Sequence, residues 1–406
     1  MNLNVINSKS FIIYILAFGI FGIINTEMGV IGILPQIAQQ FGISVSQAGL
    51  LVSLFALAVA ISGPFMPLLF SGINRKNAML LVVGLFVIAN VVSVYAPNFT
   101  VLLIARVVPA FLHPVYFSVA FVAAANTVSK EQTSKAIAKV FMGVTAGMVI
   151  GTPITSYIAD VISLDASLWF FAVVNAIAFL SILAFVPSMP VKERLSYGQQ
   201  LSVLKKPLVW LSIVTVIFLN SAMYAVYSFF AEYLDTVTHM SGKQISLMLV
   251  LFGVTGIAGN LLAGKLLSNK AMATALVYPL IFAAIYLLVF FFGSFSLPMT
   301  IIIAVWGVLF TLGLNISQYW ITSAAPEAPD FANGLFVSFA NLGVTIGTFI
   351  GGSFIAEMGT QHVIWSGLLF LVLGLVSIML RTVRYNPQKV DLLNKKRHLS
   401  VDIDPS

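Results

Sequence analysis

Apolar runs recur along the whole chain, separated by short breaks rich in polar residues, glycine and proline. A helix of roughly 20 apolar residues crosses about 30 Å of hydrocarbon, whereas a β-barrel would show short alternating segments. The pattern therefore predicts an all-α polytopic membrane protein with twelve transmembrane helices. These spans 1 to 12 are predicted at residues 11–33, 46–70, 78–96, 99–125, 136–159, 168–187, 207–233, 244–266, 272–292, 298–323, 333–357 and 363–383.

The polar stretch SMPVKERLSYGQQLSVLKK separates span 6 from span 7 and divides the chain into two similar halves. Leu54-Phe55 recurs as Leu251-Phe252, and Ile150-Gly151-Thr152 recurs as Ile346-Gly347-Thr348, at almost the same offset. Parallel repeats of this kind are typical of transporters that rock around a central site. We expect two pseudo-symmetric six-helix bundles at residues 1–190 and 207–384, a cytoplasmic linker at 191–206 and a cytoplasmic tail at 385–406.

The basic residues are distributed unevenly between the two sides of this predicted bundle. Of the 20 Lys and Arg residues, all except Arg106 and Lys243 fall on the side that carries both termini. The positive-inside rule makes that side cytoplasmic, here in a bacterial cytoplasmic membrane. The net charge of +7 thus reflects membrane topology. Anionic lipid headgroups are the expected partner of these residues, rather than nucleic acid.

The composition gives no support to metal, thiol or nucleotide chemistry. The chain has no cysteine, its four histidines are scattered, and the GxxxxGK[ST] phosphate loop does not occur. We therefore expect no cofactor, no metal and no enzymatic activity. Energy for transport would then come from an ion gradient, from the substrate gradient or from another subunit.

Glu27 lies inside span 1, although an ionisable group in the bilayer interior costs roughly 2.5–3.5 kcal/mol on insertion scales. At about 1.5 Å per residue, Arg106 of span 4 reaches a similar depth, where pairing or a wet cleft makes both charges tolerable. His113 lies two turns further along span 4 and changes charge near physiological pH. We therefore predict that Glu27, Arg106 and His113 couple transport to proton binding and release. The alternative is an ion pair between Glu27 and Arg106 that serves structure only.

A second set of polar side chains predicts a cleft for a neutral or amphipathic small molecule. The set consists of Asn25, Asn220, Tyr224, Tyr227, Asn315, Gln318 and Tyr319. Interhelical hydrogen bonding without any role in binding is the alternative for each of them. A strongly anionic substrate fits poorly, because Arg106 is the one Arg that we expect in the membrane interior.

Glycine repeats every four residues in span 5 and again in span 11. The two rows are Gly143, Gly147 and Gly151, which precede Pro153, and Gly343, Gly347 and Gly351. Faces of small residues allow helices to approach closely. We expect both rows to mark the sliding contact between the two halves.

Several stretches resemble the major facilitator superfamily, and in particular the sugar-efflux and arabinose-efflux-like subgroup of its twelve-span drug:proton antiporters. They are TEMGVIGILPQIAQQFGISVSQAGLLVSLFAL, LLIARVVPAFLHPVYFSVA, GMVIGTPITSYIAD and SQYWITSAAPEAPDFANGLFVSFANLGVTIG. The loop FSGINRKN departs from the family pattern, because it keeps Arg75 and Lys76 but has Ser71 where the usual motif has Asp.

The resemblance implies a monomeric, proton-coupled exporter of a sugar, a purine or nucleoside, or a drug. It also implies conformational gating by the Gly143-to-Pro153 segment and by Arg75 and Lys76. Two alternatives remain. An uptake symporter or facilitator would have the same fold, and a non-transporting receptor or membrane enzyme would bind its ligand without moving it.

Overall fold

The computed structural model describes residues 3–129, 133–190, 200–326 and 329–384. The predicted tail and most of the predicted linker lie outside these residues. The α-helices are α1 (Leu3–Gly29), α2 (Leu34–Phe41), α3 (Val45–Ala48), α4 (Leu50–Ser62), α5 (Met66–Leu69), α6 (Arg75–Val94), α7 (Phe99–Ala110), α8 (His113–Thr127), α9 (Thr133–Ala146), α10 (Thr152–Val161), α11 (Leu164–Phe185), α12 (Pro207–Tyr227), α13 (Phe230–Thr236), α14 (Gly242–Phe292), α15 (Ser296–Thr322), α16 (Pro329–Met358) and α17 (Val363–Arg384).

Within the described ranges, eleven helical stretches are long and apolar enough to cross a membrane. The longest is α14, which covers 51 residues. Its backbone is broken at Lys270, where φ is −144° and ψ is 46°. The break falls between predicted spans 8 and 9, so this stretch supplies two spans. The all-α fold with twelve spans in two six-helix bundles is confirmed, whereas the domain boundaries in the sequence stay a prediction.

Three spans that carry polar residues are interrupted near those residues. Span 1 changes from α1 through a 3-10 turn at Val30–Ile33 into α2. Span 4 stops at the end of α7 and restarts at His113. Span 5 contains a π-helical turn at Gly147–Gly151, directly before Pro153 in α10. Proline lacks an amide N–H, and irregular turns of this kind occur frequently at functional sites.

Span 2 and its repeat partner, span 8, begin with the same capping box. Ser44 accepts a hydrogen bond from the backbone of Gln47, and Ser241 accepts one from the backbone of Gln244. Each glutamine side chain in turn accepts from the backbone N–H of its serine, which satisfies two amide groups that the helix leaves open. The internal repeat seen in the sequence therefore starts equivalent helices in the two halves.

The two halves are in contact at one end of the bundle. We call the end that carries Leu3 and Arg384 the terminal face, and the opposite end the far face. At the far face, the Ser246 hydroxyl of span 8 donates to the Ser156 hydroxyl of span 5 over 3.1 Å. Phe229 of span 7 also packs there, between glycines of spans 2 and 11. The far face is therefore closed.

The seam between spans 5 and 8 opens toward the terminal face. Gly253 still packs against Val149, since a Cβ at position 253 would lie 2.8 Å from the Val149 Cα. Further toward the terminal face, Met142 of span 5 is 51% exposed and Gly264 of span 8 has free space beside it. Spans 2 and 11 remain in contact at mid-depth, where the Thr345 hydroxyl donates to the Ser53 carbonyl over 3.1 Å. They also pack closely nearer the terminal face, where a Cβ at Gly63 would overlap the Ser338 hydroxyl.

The glycine rows lie inside the halves, so the expectation that they mark the sliding contact is wrong. Gly143, Gly147 and Gly151 pack against Ala17, Ile24 and Asn25 of span 1 in the same half. Gly343, Gly347 and Gly351 pack against Asn220, Ser221 and Ala225 of span 7. The spacing shows that the glycines share one face of a helix, but it does not show which neighbour that face meets.

Replacing Gly347 by Ala is expected to destabilise the protein, because the new Cβ would lie 2.7 Å from the Ser221 Cα. Overpacking of this kind costs about 1–3 kcal/mol, so we expect the unfolding temperature to fall by at least about 2 °C. Gly334 lies on the same helix with free space around it, and its replacement by Ala is the matched control. Equal unfolding temperatures for the two variants would contradict the close approach of spans 7 and 11.

Candidate functional site

Glu27 and His113 lie together in the interior of the N-terminal half. The Glu27 Oε2 is 3.1 Å from the His113 Nε2, and the residues are only 7% and 3% exposed. The two atoms are close, but they are not aligned as a hydrogen bond, and the His113 Nδ1 has no hydrogen-bond partner among the described residues. The pair therefore keeps unused hydrogen-bonding capacity, which a proton or a ligand could take up.

Aromatic rings surround the imidazole. His113 stacks on Phe117 with 4.4 Å between ring centroids, and the Phe55 ring meets it edge-on at 6.1 Å. His113 is the first residue of α8, so the break in span 4 determines the position of its side chain. Charges interact more strongly in such apolar surroundings than in water, so the short distance between Glu27 and His113 makes this pair the strongest candidate for ion chemistry in the N-terminal half.

Arg106 binds the backbone of span 1 and leaves the carboxylate of Glu27 to His113. Its Nη2 donates to the Thr26 carbonyl over 2.7 Å and approaches the Glu27 carbonyl at 3.4 Å. The described Arg106 guanidinium makes no direct ion pair with the Glu27 carboxylate, although it is near enough to interact with that charge. The alternative that the two residues serve structure only stays a prediction. The last carbonyls of a helix lack intrahelical partners, and α1 ends at Gly29, so the guanidinium supplies donors where span 1 is interrupted.

Tyr224 and Tyr227 of span 7 belong to an aromatic cluster in the C-terminal half. The Tyr224 ring lies 5.3 Å from Phe310, and Tyr227 stacks on Phe252 at 4.7 Å, measured between ring centroids. Tyr224 is near enough to Glu27 to interact with its charge across the two halves. One wall of aromatic rings therefore faces the carboxyl group from the opposite half.

Asn220 lies one turn before these tyrosines and contacts span 10. Its amide nitrogen donates to the Val216 carbonyl over 2.9 Å and approaches the Ser317 hydroxyl at 3.4 Å. The amide oxygen is buried, and the described part of the chain offers it no hydrogen-bond donor. Asn220 thus keeps one free acceptor near the centre of the molecule.

The other predicted binding residues are spread over different places. Asn25 is fully buried against span 5, where the Thr155 hydroxyl donates to its amide oxygen over 3.3 Å. On span 10, the Asn315 amide donates to Asn260 over 2.7 Å, and the Gln318 amide donates to Asn333 over 3.0 Å. Tyr319 is partly exposed. Among the predicted binding residues, Tyr224 and Tyr227 pack together on span 7, and Tyr224 comes near Glu27.

Arg75 and Lys76 fasten the loop after span 2 to the end of span 6. The Arg75 N–H donates to the Met189 carbonyl over 3.1 Å, and the Lys76 Nζ donates to the Leu183 carbonyl over 2.8 Å. A cation at the C-terminal end of a helix also interacts favourably with the helix dipole. These contacts stay within the N-terminal half, and a gating role for the two residues stays a prediction.

Arg381 is a second buried guanidinium, so the expectation that Arg106 alone lies inside a span is wrong. It stacks on Trp320 at 4.1 Å, and it donates to the Trp320 carbonyl and to the hydroxyls of Ser212 and Ser323. These contacts join spans 7, 10 and 12 near the terminal face. In the sequence Arg381 follows an apolar run, and that position is typical of a side chain reaching the membrane surface.

A further cavity lies between the halves at the far face and has a volume of about 560 Å³. Three carboxylates line it, those of Asp160, Glu232 and Asp235. Glu232 is largely buried, and the Thr360 hydroxyl approaches its carboxylate at 3.4 Å. These acids border the closed end of the seam.

The family model of the Major Facilitator Superfamily matches residues 16–330. The chain belongs to the major facilitator superfamily. As a superfamily member it is a membrane-embedded transporter of small molecules and not an enzyme, so those expectations from the sequence are confirmed.

Individual superfamily members cover almost the whole chain. The "Inner membrane transport protein YdhP" of Escherichia coli O157:H7 is 30% identical over 380 residues, which are 93% of this chain and 97% of that protein. A "Probable sugar efflux transporter" of Pasteurella multocida (strain Pm70) is 26% identical, with 94% and 96% of the two chains covered. Both agree with the subgroup suggested by the sequence.

A solved superfamily structure shares the fold. It is a bacterial homologue of the human lysosomal transporter Spinster in an inward-facing and occupied conformation. The TM-score is 0.79 at 17% identity, and the match covers 93% of this chain and 97% of that one. At this identity the likeness concerns the fold alone.

Proposed function

We propose that this transporter is a proton-coupled exporter of a small organic molecule and works by alternating access of its two six-helix bundles. The observation that carries the proposal is the buried contact between Glu27 and His113, 3.1 Å apart. Both groups change charge on binding a proton, whereas the neighbouring guanidinium does not. We infer that this carboxyl group, which is buried in the N-terminal half and approached by Tyr224 of the other half, exchanges a proton with each side of the membrane in turn.

Antiport follows if the proton and the substrate exclude each other at Glu27. Burial favours the neutral carboxylic acid, and a nearby cation favours the carboxylate. A protonated His113 would supply that cation, and substrate bound against Glu27 would displace the proton. Release of the proton on one side and its uptake on the other would then drive the exchange.

We propose that the terminal face is cytoplasmic, because it carries nearly all Lys and Arg residues. The closed far face is then periplasmic, and the seam between spans 5 and 8 opens on the cytoplasmic side, where spans 2 and 11 remain packed together. The proposed halves remain residues 1–190 and 207–384, and a monomer in contact with anionic lipids is sufficient for the mechanism. Gating by the interrupted span 5 belongs to the same proposal.

The substrate is proposed to be neutral or amphipathic, which leaves sugars, purines or nucleosides, and lipophilic drugs. Aromatic rings at Tyr224, Tyr227 and Phe310 and the free amide acceptor of Asn220 suit a planar or hydroxylated molecule. The Arg106 Nη2 is engaged by backbone carbonyls of span 1, whereas its buried Nε has no hydrogen-bond partner in the described chain. The relative named as a sugar efflux transporter supports sugars within this group.

A screen of sugars, nucleosides and drugs for thermal stabilisation of the purified protein identifies a ligand, because a compound that binds the folded state raises its apparent stability. Flux of that compound is then measured in inside-out vesicles under an imposed pH gradient. Export by antiport predicts accumulation in the lumen when the lumen is acidic. If the compound instead leaves an acidic lumen against its own gradient, the protein is a symporter. If its flux is independent of the pH gradient, the protein is a facilitator. Binding without any flux would contradict transport of that compound.

A further inference from the structure

Thr26, the residue before Glu27, is held by hydrogen bonds from two other spans. Its hydroxyl donates to the Gly22 carbonyl over 3.0 Å. It accepts from the Asn90 amide of span 3 over 3.2 Å and from the Asn175 amide of span 6 over 3.0 Å. A hydroxyl has one donor and two acceptor positions, so all three positions of Thr26 are used.

The backbone of Thr26 is held as well. Its carbonyl accepts the 2.7 Å hydrogen bond from Arg106 of span 4. Asn175 strengthens the attachment, since its amide nitrogen also lies 3.1 Å from the Gly22 carbonyl and 2.9 Å from the Phe171 carbonyl, and its two N–H groups are shared among these oxygens and the Thr26 hydroxyl. Three spans therefore bind span 1 at a single residue that is 2% exposed.

This attachment determines where Glu27 points. Successive residues of a helix are separated by about 100° around its axis, so a slip of one position would turn Glu27 away from His113. The regular α-helical hydrogen bonding of span 1 ends at Gly29. Beyond that residue the helix itself resists rotation about its axis less strongly. Hydrogen bonds from Asn90, Asn175 and Arg106 supply that resistance from outside the helix.

We propose that Thr26, together with Asn90 and Asn175, is a positioning device for the coupling carboxyl group. It fixes the rotation of span 1 while the halves rock, so that the Glu27 carboxyl group keeps its position beside the His113 imidazole. The inference rests on the proposed proton-coupled function. The titratable and charged groups that face Glu27 within the described chain are His113 and Arg106 of span 4 and Tyr224 of span 7.

The test compares Thr26→Val, which removes the hydroxyl at nearly constant size, with Thr26→Ser, which keeps it. The matched control is Thr215→Val in span 7. Thr215 is equally buried, donates to the Leu211 carbonyl over 2.9 Å and accepts from Ser377 over 2.9 Å, but it belongs to the C-terminal half. The readouts are accumulation driven by a pH gradient, the pH dependence of that accumulation, and substrate exchange without a gradient.

We expect Thr26→Val to lower pH-driven accumulation at least about tenfold and to shift its pH dependence, because a misplaced reactive group loses rate steeply. Exchange without a gradient should stay near the wild-type rate, and Thr26→Ser should restore coupling. If Thr26→Val behaves like Thr215→Val in all three readouts, the positioning role is wrong. Measuring Glu27→Gln in parallel separates the two proposals, since normal pH-driven accumulation in that variant would overturn the coupling role of Glu27 itself.

Discussion

Oxidation of the double variant Ser156→Cys/Ser246→Cys is expected to abolish transport, and reduction is expected to restore it. The two hydroxyl oxygens are 3.1 Å apart in opposite halves, so cysteine side chains at these positions would meet across the far face. A disulfide there would hold the far face closed, and alternating access requires that face to open. The chain has no native cysteine, so the introduced pair is the only one that can form.

A disulfide inside one half provides the matched control. The hydroxyls of Thr215 and Ser377 are 2.9 Å apart, and both lie in the C-terminal half. Oxidised Thr215→Cys/Ser377→Cys should therefore keep transporting, because the bundle moves as a unit. Each single cysteine variant should also stay active under the oxidant. If the fully cross-linked Ser156→Cys/Ser246→Cys variant transports as fast as the same variant after reduction of its disulfide, the halves do not separate at the far face.

Replacing Glu27 by Gln is expected to eliminate transport driven by a pH gradient while leaving substrate exchange intact. Glutamine keeps the size of the side chain but cannot bind or release a proton in this range. We expect pH-driven accumulation to fall by about 100-fold or more, to the level of vesicles without the protein. Accumulation is measured in inside-out vesicles with an acidic lumen, and exchange is measured in the same vesicles without a gradient.

Glu357→Gln is the control for Glu27→Gln. Glu357 is an exposed carboxylate at the far-face end of span 11, so its neutralisation changes the net charge equally without touching the central site. It should leave both activities unchanged. Loss of exchange in Glu27→Gln would assign Glu27 to substrate binding alone, and wild-type pH-driven accumulation would remove Glu27 from coupling altogether.

The number and length of the spans could be predicted from the sequence, because the thickness of a bilayer fixes how long an apolar helix must be. The separation of spans 8 and 9 was predicted correctly, although the structure joins them into one long helix broken only at Lys270. The internal repeat was also visible in the sequence, and the structure has the same capping box at Ser44 and at Ser241, at the start of equivalent helices.

What the sequence could not supply is the rotation of each helix against its neighbours. Periodicity shows that Gly143, Gly147 and Gly151 share a face, but the partner of that face is span 1 and not the opposite half. Depth along the axis put Glu27 level with Arg106 and His113 two turns further in, whereas in the structure the Glu27 carboxylate lies beside His113. It did not reveal that Arg106 binds carbonyls, because that depends on the local break in span 1.

Thr26, Asn90 and Asn175 were overlooked for a similar reason. Each is a single small polar residue inside an apolar run, and residues of that kind usually do no more than hydrogen-bond to a neighbouring helix. Only their convergence on one hydroxyl, from spans far apart in the chain, distinguishes them. The sequence did contain one indication of a role for Thr26, because this residue immediately precedes Glu27, the one acid inside span 1.

Proton release on substrate binding tests the central claim most directly. The purified protein is titrated with the compound found by thermal stabilisation, in a weakly buffered solution containing a pH indicator. We predict that the wild-type protein releases protons in proportion to bound substrate, whereas Glu27→Gln binds the compound and releases none. Equal proton release from the two proteins would contradict the account, because the proton would then come from another group.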